Sequence, residues 1–211
     1  MNKKIRIILI LLTLSVTLSF MSDTYSRYVV DTTSNIEFSI ANWQILVNDT
    51  DITTGTTNKI EITPVIEESE NIKSNTIAPS SKGYFDILIN PSNVGVSFNY
   101  NIDLKVLNEN MPDILISKYA ILPDTYKEGD KIETSLINEN KITGTLDFDN
   151  KTENFTFKPF TVRTYFEWYE GENEQMKDED DTNIATDAQT NGTKLQIEAS
   201  IKFEQKIETA E

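Results

Sequence analysis

The sequence contains no cysteine and no histidine, and only seven of its 211 residues are glycine. Each shortage removes a class of chemistry. Without His or Cys there is no Ser-His-Asp or Cys-His nucleophile system. Zinc sites built on imidazole or thiolate, haem ligation by His and iron–sulfur ligation by Cys are excluded as well. So few glycines leave no Gly-rich loop to cradle a phosphate. Positive charge is also scarce: 19 Lys+Arg face 34 Asp+Glu, a formal net charge of −15. Such a chain is a poor partner for DNA or RNA, whose phosphates need stripes of Lys and Arg. Binding, structural and carboxylate-based roles remain.

What is present begins with a basic head, Lys3, Lys4 and Arg6, followed by an apolar run from Ile7 to Phe20. Polar residues resume at Ser22 and Asp23, with small residues at Thr24 and Ser26. Basic head, short apolar stretch and small-residue cut define a secretory signal peptide. The run is shorter than the roughly 20 apolar residues of a membrane span. Residues 1–26 are therefore expected to be cleaved between Ser26 and Arg27, leaving 27–211 as a single secreted domain with no membrane contact. Cleavage takes Lys3, Lys4, Arg6 and Asp23 away, leaving 16 Lys+Arg against 33 Asp+Glu, a net charge of −17. Lacking disulfides, the domain depends on an ordinary core, and about 185 residues bury about 70% of the extended chain's surface.

Period-2 alternation recurs along the chain. Val94, Val96, Phe98, Tyr100, Ile102, Leu104 and Val106 alternate with Gly, Ser, Asn, Asp or Lys, the pattern of a strand with one buried and one wet face. Phe160–Trp168 and Leu195–Phe203 repeat it. Shorter candidate strands are 36–40, 43–47, 60–63, 84–89, 114–122, 142–148 and 155–157. Prolines and Asn clusters fall at or near the ends of these runs, and no amphipathic helix of 12 or more residues stands out. The expected fold is all-β, a jelly-roll-like antiparallel β-sandwich with a long acidic loop, residues 170–192, before the last strand.

The acidic loop contains Asp178, Asp180, Asp181 and Asp187. Calcium takes several carboxylate oxygens, so these four are the candidate metal ligands, and calcium is the one cofactor the sequence suggests. The EF-hand register fails: with Asp178 at position 1, Asn183 stands in place of the Gly at 6 and Gln189 in place of the Glu at 12. A solvated acidic loop is the plainer reading. In the third aromatic-rich strand, Phe166 and Trp168 belong to the core face, while Tyr165 and Tyr169 face the other way as a candidate sugar-stacking strip. No carboxylate pair among so many acids singles itself out for glycoside hydrolysis.

Several landmarks together resemble the TasA and camelysin family of secreted Gram-positive proteins. They are Thr24-Tyr25-Ser26-Arg27-Tyr28 at the cut, Ile40-Ala41-Asn42-Trp43 with Ile45, Ile77-Ala78-Pro79-Ser80-Ser81-Lys82-Gly83-Tyr84-Phe85-Asp86-Ile87 leading into Asn90, and Phe166-Glu167-Trp168 with the acidic insert. The chain departs from the family pattern in having Ser80 after the Pro and Ser26 at the cut. The resemblance implies export through an ER-type signal peptidase, a jelly-roll sandwich, and a place at the cell surface or in the biofilm matrix. Some members of the family polymerise by donor-strand exchange. Here the segment 27–40 carries Tyr28, Val29, Val30, Ile36, Phe38 and Ile40, and a strand of this kind adds to an exposed sheet edge through main-chain bonds and alternate side chains. Camelysin-type members are described as metalloproteases, but a chain without histidine has no His-Glu-x-x-His, so no enzyme activity is expected. The sequence therefore leads to a structural fibre or matrix subunit that self-associates. A monomeric extracellular binding module for glycans or a host ligand is the alternative, and a carboxylate-based hydrolase comes last.

Overall fold

A computed structural model describes residues 2–26, 39–53, 60, 62–107, 113–170, 178–192 and 194–207, without the side chains of 19–26, 178 and 180. The chain divides into residues 1–40 and 41–211. In the first unit, Lys3–Ser26 forms helix α1. Its described side chains from Ile5 to Leu18 are exposed on all sides, and the hydroxyls of Thr13 and Thr17 bond back to carbonyls of the preceding turn. Among the described residues, no helix is long and apolar enough to cross a membrane. Of the expected cut, Ser26 is the last residue of α1 and Arg27 lies outside the described residues.

The second unit is an all-β sandwich of two antiparallel sheets. Its strands are β1 (Trp43–Val47), β2 (Thr50–Asp51), β3 (Val65–Ile66), β4 (Lys82–Val94), β5 (Phe98–Val106), β6 (Ile114–Pro123), β7 (Ser135–Leu136), β8 (Lys141–Leu146), β9 (Phe160–Trp168) and β10 (Ile197–Gln205), with helix α2 (Asp178–Asn191) before the last. The larger sheet runs β2-β1-β4-β9-β6-β7, with β3 against the start of β4, and the smaller runs β10-β5-β8. Alternation explains both. Phe85, Ile87 and Ile89 on β4, Phe160, Val162 and Phe166 on β9, and Phe98, Ile102 and Leu104 on β5 all point into one core. Rings bridge the sheets: Trp43 lies edge-on to Phe98 at 6.1 Å between centroids, and Tyr100 lies 5.6 Å from Phe160.

Turn chemistry sets the connections. Asn48 and Asp49, at φ 45° and 62°, make a two-residue turn between β1 and β2. Asn48 also extends the ladder to β4, its N–H donating to the Leu88 carbonyl and its Oδ1 accepting from the Leu88 N–H at 2.8 Å. The chain passes from the larger sheet to the smaller through Glu139 and Asn140, again at positive φ.

Residues 155–157 and the described residues of 60–63 are not in strands, and three further expected features differ. The run from Val94 to Val106 is not one strand: Val94 ends β4, residues 95–97 turn, and the strand proper begins at Phe98. Pro91 does not end its strand but lies buried inside β4. There the β1–β4 register shifts, and β9, which reaches only Ile89, makes no demand on the missing N–H. Third, the acidic stretch 170–192 is not loop throughout, because 178–191 is helix α2. The helix begins at Asp178, and the described carboxylates of its first turn, Glu179 and Asp181, lie where negative charge offsets the positive end of the helix dipole. Gly192 closes the helix at φ 69°, its N–H donating to the Ala188 carbonyl. Charge that reads as solvated loop in composition is, by position, a helix start.

Candidate functional site

The smaller sheet has two outer edges, and the backbone decides what each presents. In an antiparallel pair, residues alternate between those that exchange both hydrogen bonds with the partner and those whose polar groups point away. The Leu107 N–H donates to Gln196 O and the Lys206 N–H to Ser97 O, both at 2.9 Å. With the one-to-one register of β10 and β5, the even-numbered residues of β10 therefore bond to β5. The N–H and C=O groups of Ala199, Ile201 and Phe203 turn to the other side, where β10 has no strand partner among the described residues. The same odd-numbered residues send their side chains inward. Ile197, Ala199, Ile201 and Phe203 pack against the core yet are only partly buried.

The edge at β8 is of another kind. The Leu104 N–H donates to Asn140 O at 2.9 Å, so the even-numbered residues of β8 bond to β5; Thr143 and Thr145 present their backbone to the outside, while the Lys141 N–H on that side is already taken up by Asn138 O. β8 is six residues long against nine for β10. Its inward Ile142 is already fully buried and Leu146 is its one partly covered apolar side chain, so a strand added there has less apolar surface to cover than one added at β10.

The outer face of the larger sheet carries a second cluster. Arg163 on β9 donates through Nε and Nη2 to both carboxylate oxygens of Asp86 on β4, at 2.8 and 2.7 Å. Its guanidinium lies 3.9 Å from the centre of the Tyr84 ring, and Tyr126 approaches at 5.6 Å. The paired Asp86 carboxylate holds the guanidinium even more firmly protonated than usual. Tyr165 lies in the same row, 6.1 Å from Tyr84 with the rings tilted by 57°, and burial pushes its phenol up. The four side chains satisfy one another across two strands, which makes a staple more than an open platform. Tyr169 lies past the end of β9, and its N–H donates to Asp113 O. That bond carries the β6–β9 register one residue further, so Tyr169 follows on from the strand that holds Tyr165. Phe166 and Trp168 are buried, as the alternation required.

Of the carboxylates expected to hold calcium, Asp181 and Asp187 are described, and the helix turns these two apart. Asp181 Oδ1 accepts from Trp168 Nε1 at 2.9 Å, and Asp187 Oδ1 accepts from Asn191. Six residues apart on a helix, Asp181 and Asp187 point about 120° apart. The side chains of Asp178 and Asp180 lie outside the described residues, and among the described residues no three acidic groups gather as a metal site. Sequence reasoning missed the role of Asp181: it anchors α2 to the end of the larger sheet, with Ile184 one turn on buried against Trp168 and Ile114. The signal was the spacing Asp181, Ile184, Ala188, too short an apolar stripe to stand out among the acids.

Of the expected assembly strand, Tyr28, Val29, Val30, Ile36 and Phe38 lie outside the described residues. Ile40 is described, 91% exposed and not in a strand. No family model, no curated protein and no solved structure matches the chain.

Proposed function

We propose that the protein is a secreted structural subunit of the cell surface or matrix, of the TasA and camelysin type, which self-associates by donating residues 27–40 of one copy to the sandwich of the next. One observation carries this reading: the edge of β10 that has no strand partner among the described residues, where outward backbone and a half-covered apolar row coincide. Such an edge is a template for strand addition. The added strand gains main-chain bonds from Ala199, Ile201 and Phe203 and covers apolar side chains with its own alternate residues. The geometry also favours a second copy over self-closure. Residue 42 sits beside the β4–β5 turn, its carbonyl accepting from the Gly95 N–H, and β10 ends at the same turn, bonded to Ser97. A chain arriving at residue 42 along its own β10 runs parallel to it, in a sandwich whose strand pairs are all antiparallel. A neighbouring copy is free to approach antiparallel.

The test is negative-stain microscopy of protein beginning at Arg27. Filaments are expected, denser at higher salt, because subunits of this charge repel and salt screens them. Removing Arg27–Asn35 should leave only monomers. Filaments that persist without Arg27–Asn35 end the strand-donation reading, and a chain that stays monomeric with its N-terminus intact ends the fibre reading.

A further inference from the structure

A groove crosses the outer face of the smaller sheet, the side away from the core. Asn99 and Asn101 on β5, Thr143 and Thr145 on β8, and Lys202 and Glu204 on β10 line it, enclosing about 230 Å³. At its floor Gly144 replaces a side chain: a Cβ there would lie 2.4 Å from the ring and hydroxyl of Tyr100, which passes underneath. Any larger residue at 144 would push the Tyr100 ring out of the core.

The hydrogen bonding of this row is incomplete in a definite way. The Thr145 hydroxyl donates to Asn99 Oδ1 at 2.7 Å, and Asn101 Nδ2 donates to Asp103 Oδ2 at 2.6 Å. The second bond fixes the orientation of the Asn101 amide. It leaves Asn101 Oδ1 closed off from solvent with no hydrogen-bond partner, and an orphaned acceptor of this kind is destabilising until a donor reaches it. Lys202 stands directly across from Asn101 in the β10–β5 register, and Thr143 on the other side. Lys202 is held by Glu204 at 2.5 Å, and both are well exposed. Its flexible stem flanks Asn101 in the groove, and a ligand that displaces it gains a path for a donor to Asn101 Oδ1. The groove is electrically balanced, since Lys202 and Glu204 cancel and the other lining side chains are neutral. On a chain of net charge −15, this neutral, amide- and hydroxyl-lined strip offers nothing to a phosphate and too little to a cation. It fits a ligand that is uncharged, flat and rich in both donors and acceptors.

We infer that this groove binds a neutral oligosaccharide, with a sugar hydroxyl or acetamido N–H donating to Asn101 Oδ1 and neighbouring hydroxyls meeting Thr143 and Asn99. The inference is independent of polymerisation, because every contact comes from one copy and from the face of the sheet, not its edge.

The experiment is amide chemical-shift mapping of the full chain titrated with two probes, N-acetylglucosamine tetramer and β-1,4-glucose tetramer, up to millimolar concentration. At least one probe should give saturable shifts confined to 99–101, 143–145 and 202–204. Thr143 is exposed, so Thr143→Arg should fold normally, fill the groove and weaken binding by at least about ten-fold. Lys202→Ala removes the flexible stem and charge beside Asn101 and should leave binding unchanged or tighter. Absence of saturable shifts with both probes overturns the inference, as do shifts centred on Tyr84 and Tyr165. Undiminished binding by Thr143→Arg, or a ten-fold loss on Lys202→Ala, which would mark a charge-driven site, overturns it equally. Shifts that depend on protein concentration and not on sugar would assign the face to a second copy instead.

Discussion

The two outer strands of the smaller sheet share a partner, β5, and yet differ in what they leave unfinished. β8 is short, its inward Ile142 is fully buried, the Lys141 N–H at its start is already bonded to Asn138 O, and the outward side chains along it are a lysine and two threonines. β10 is half as long again, and the row beneath it, Ile197, Ala199, Ile201 and Phe203, stays partly in contact with solvent. Lysine and brevity are the usual means of blunting an edge. One edge of this sheet is therefore closed to further pairing by its own side chains, while the other is left open both in hydrogen bonds and in apolar cover. The comparison also separates edge from face: the groove at Asn101 and Thr143 is available whether or not a strand occupies β10.

Proline substitution breaks this comparison most sharply. The N–H groups of Ala199 and Thr143 both point to free edges, so Pro at either position removes no bond to β5. Ala199→Pro should abolish filaments seen by electron microscopy while costing the isolated domain only about 1 kcal/mol. Thr143→Pro should leave filaments intact. The reverse outcome would move the accepting edge to β8, and loss of filaments in both would point to the smaller sheet as a whole.

The next largest effect concerns what holds the two sheets together. Phe98, fully buried, meets Trp43 from the larger sheet, Phe157 from the segment before β9, and Phe203 from β10. Phe98→Ala should cost about 3–5 kcal/mol in urea unfolding. Because Phe203 rests on Phe98, the same change should loosen β10 and raise its amide exchange above that of β8. Equal exchange in the two strands would mean that β10 does not depend on the core in the way its half-burial indicates.

The strands and the core face were legible because period-2 alternation is a local signal. Phe160–Trp168 and Trp43–Val47 read directly as β9 and β1. Legibility failed where a feature depended on a distant partner. Pro91 reads as a terminator, and only the pairing of β4 with β1 on one side and the early end of β9 on the other shows why it is tolerated within the strand. Helix α2 was hidden because its apolar stripe is one isoleucine and one alanine, and its anchor is a hydrogen bond to Trp168. The orphaned Asn101 acceptor was equally invisible, since it exists only through the register that sets Asp103, Lys202 and Thr143 around it.

The anchor of α2 gives a smaller, local prediction. Trp168→Phe keeps an aromatic ring against Ile114 and Ile184 but removes the donor to Asp181, a loss of about 1–2 kcal/mol. The change should appear as faster amide exchange across 178–191, with little effect in β10 or β8. Unchanged exchange in α2 would leave Ile184 alone holding the helix.

The smallest effect at neutral pH, and the most specific, lies at Tyr100, the residue that joins the groove floor to the core. Burial, with Tyr119 nearby adding to it, pushes the Tyr100 phenol from 10.0 up to about 12. A folded-state value above the unfolded one means that the folded protein holds this proton more tightly. The stabilisation is then complete below about pH 10 and is lost as pH rises toward about 12. Tyr100→Phe keeps the ring over Gly144 and against Phe160 and removes the titrating group. Its melting temperature at pH 7 should stay within a few degrees of the parent's, while its decline from pH 9 upward should be shallower. Parallel declines would show that the phenol meets water in the folded state. The groove floor would then be open to solvent from the core side, and β5 would not separate a wet outer face from a closed inner one.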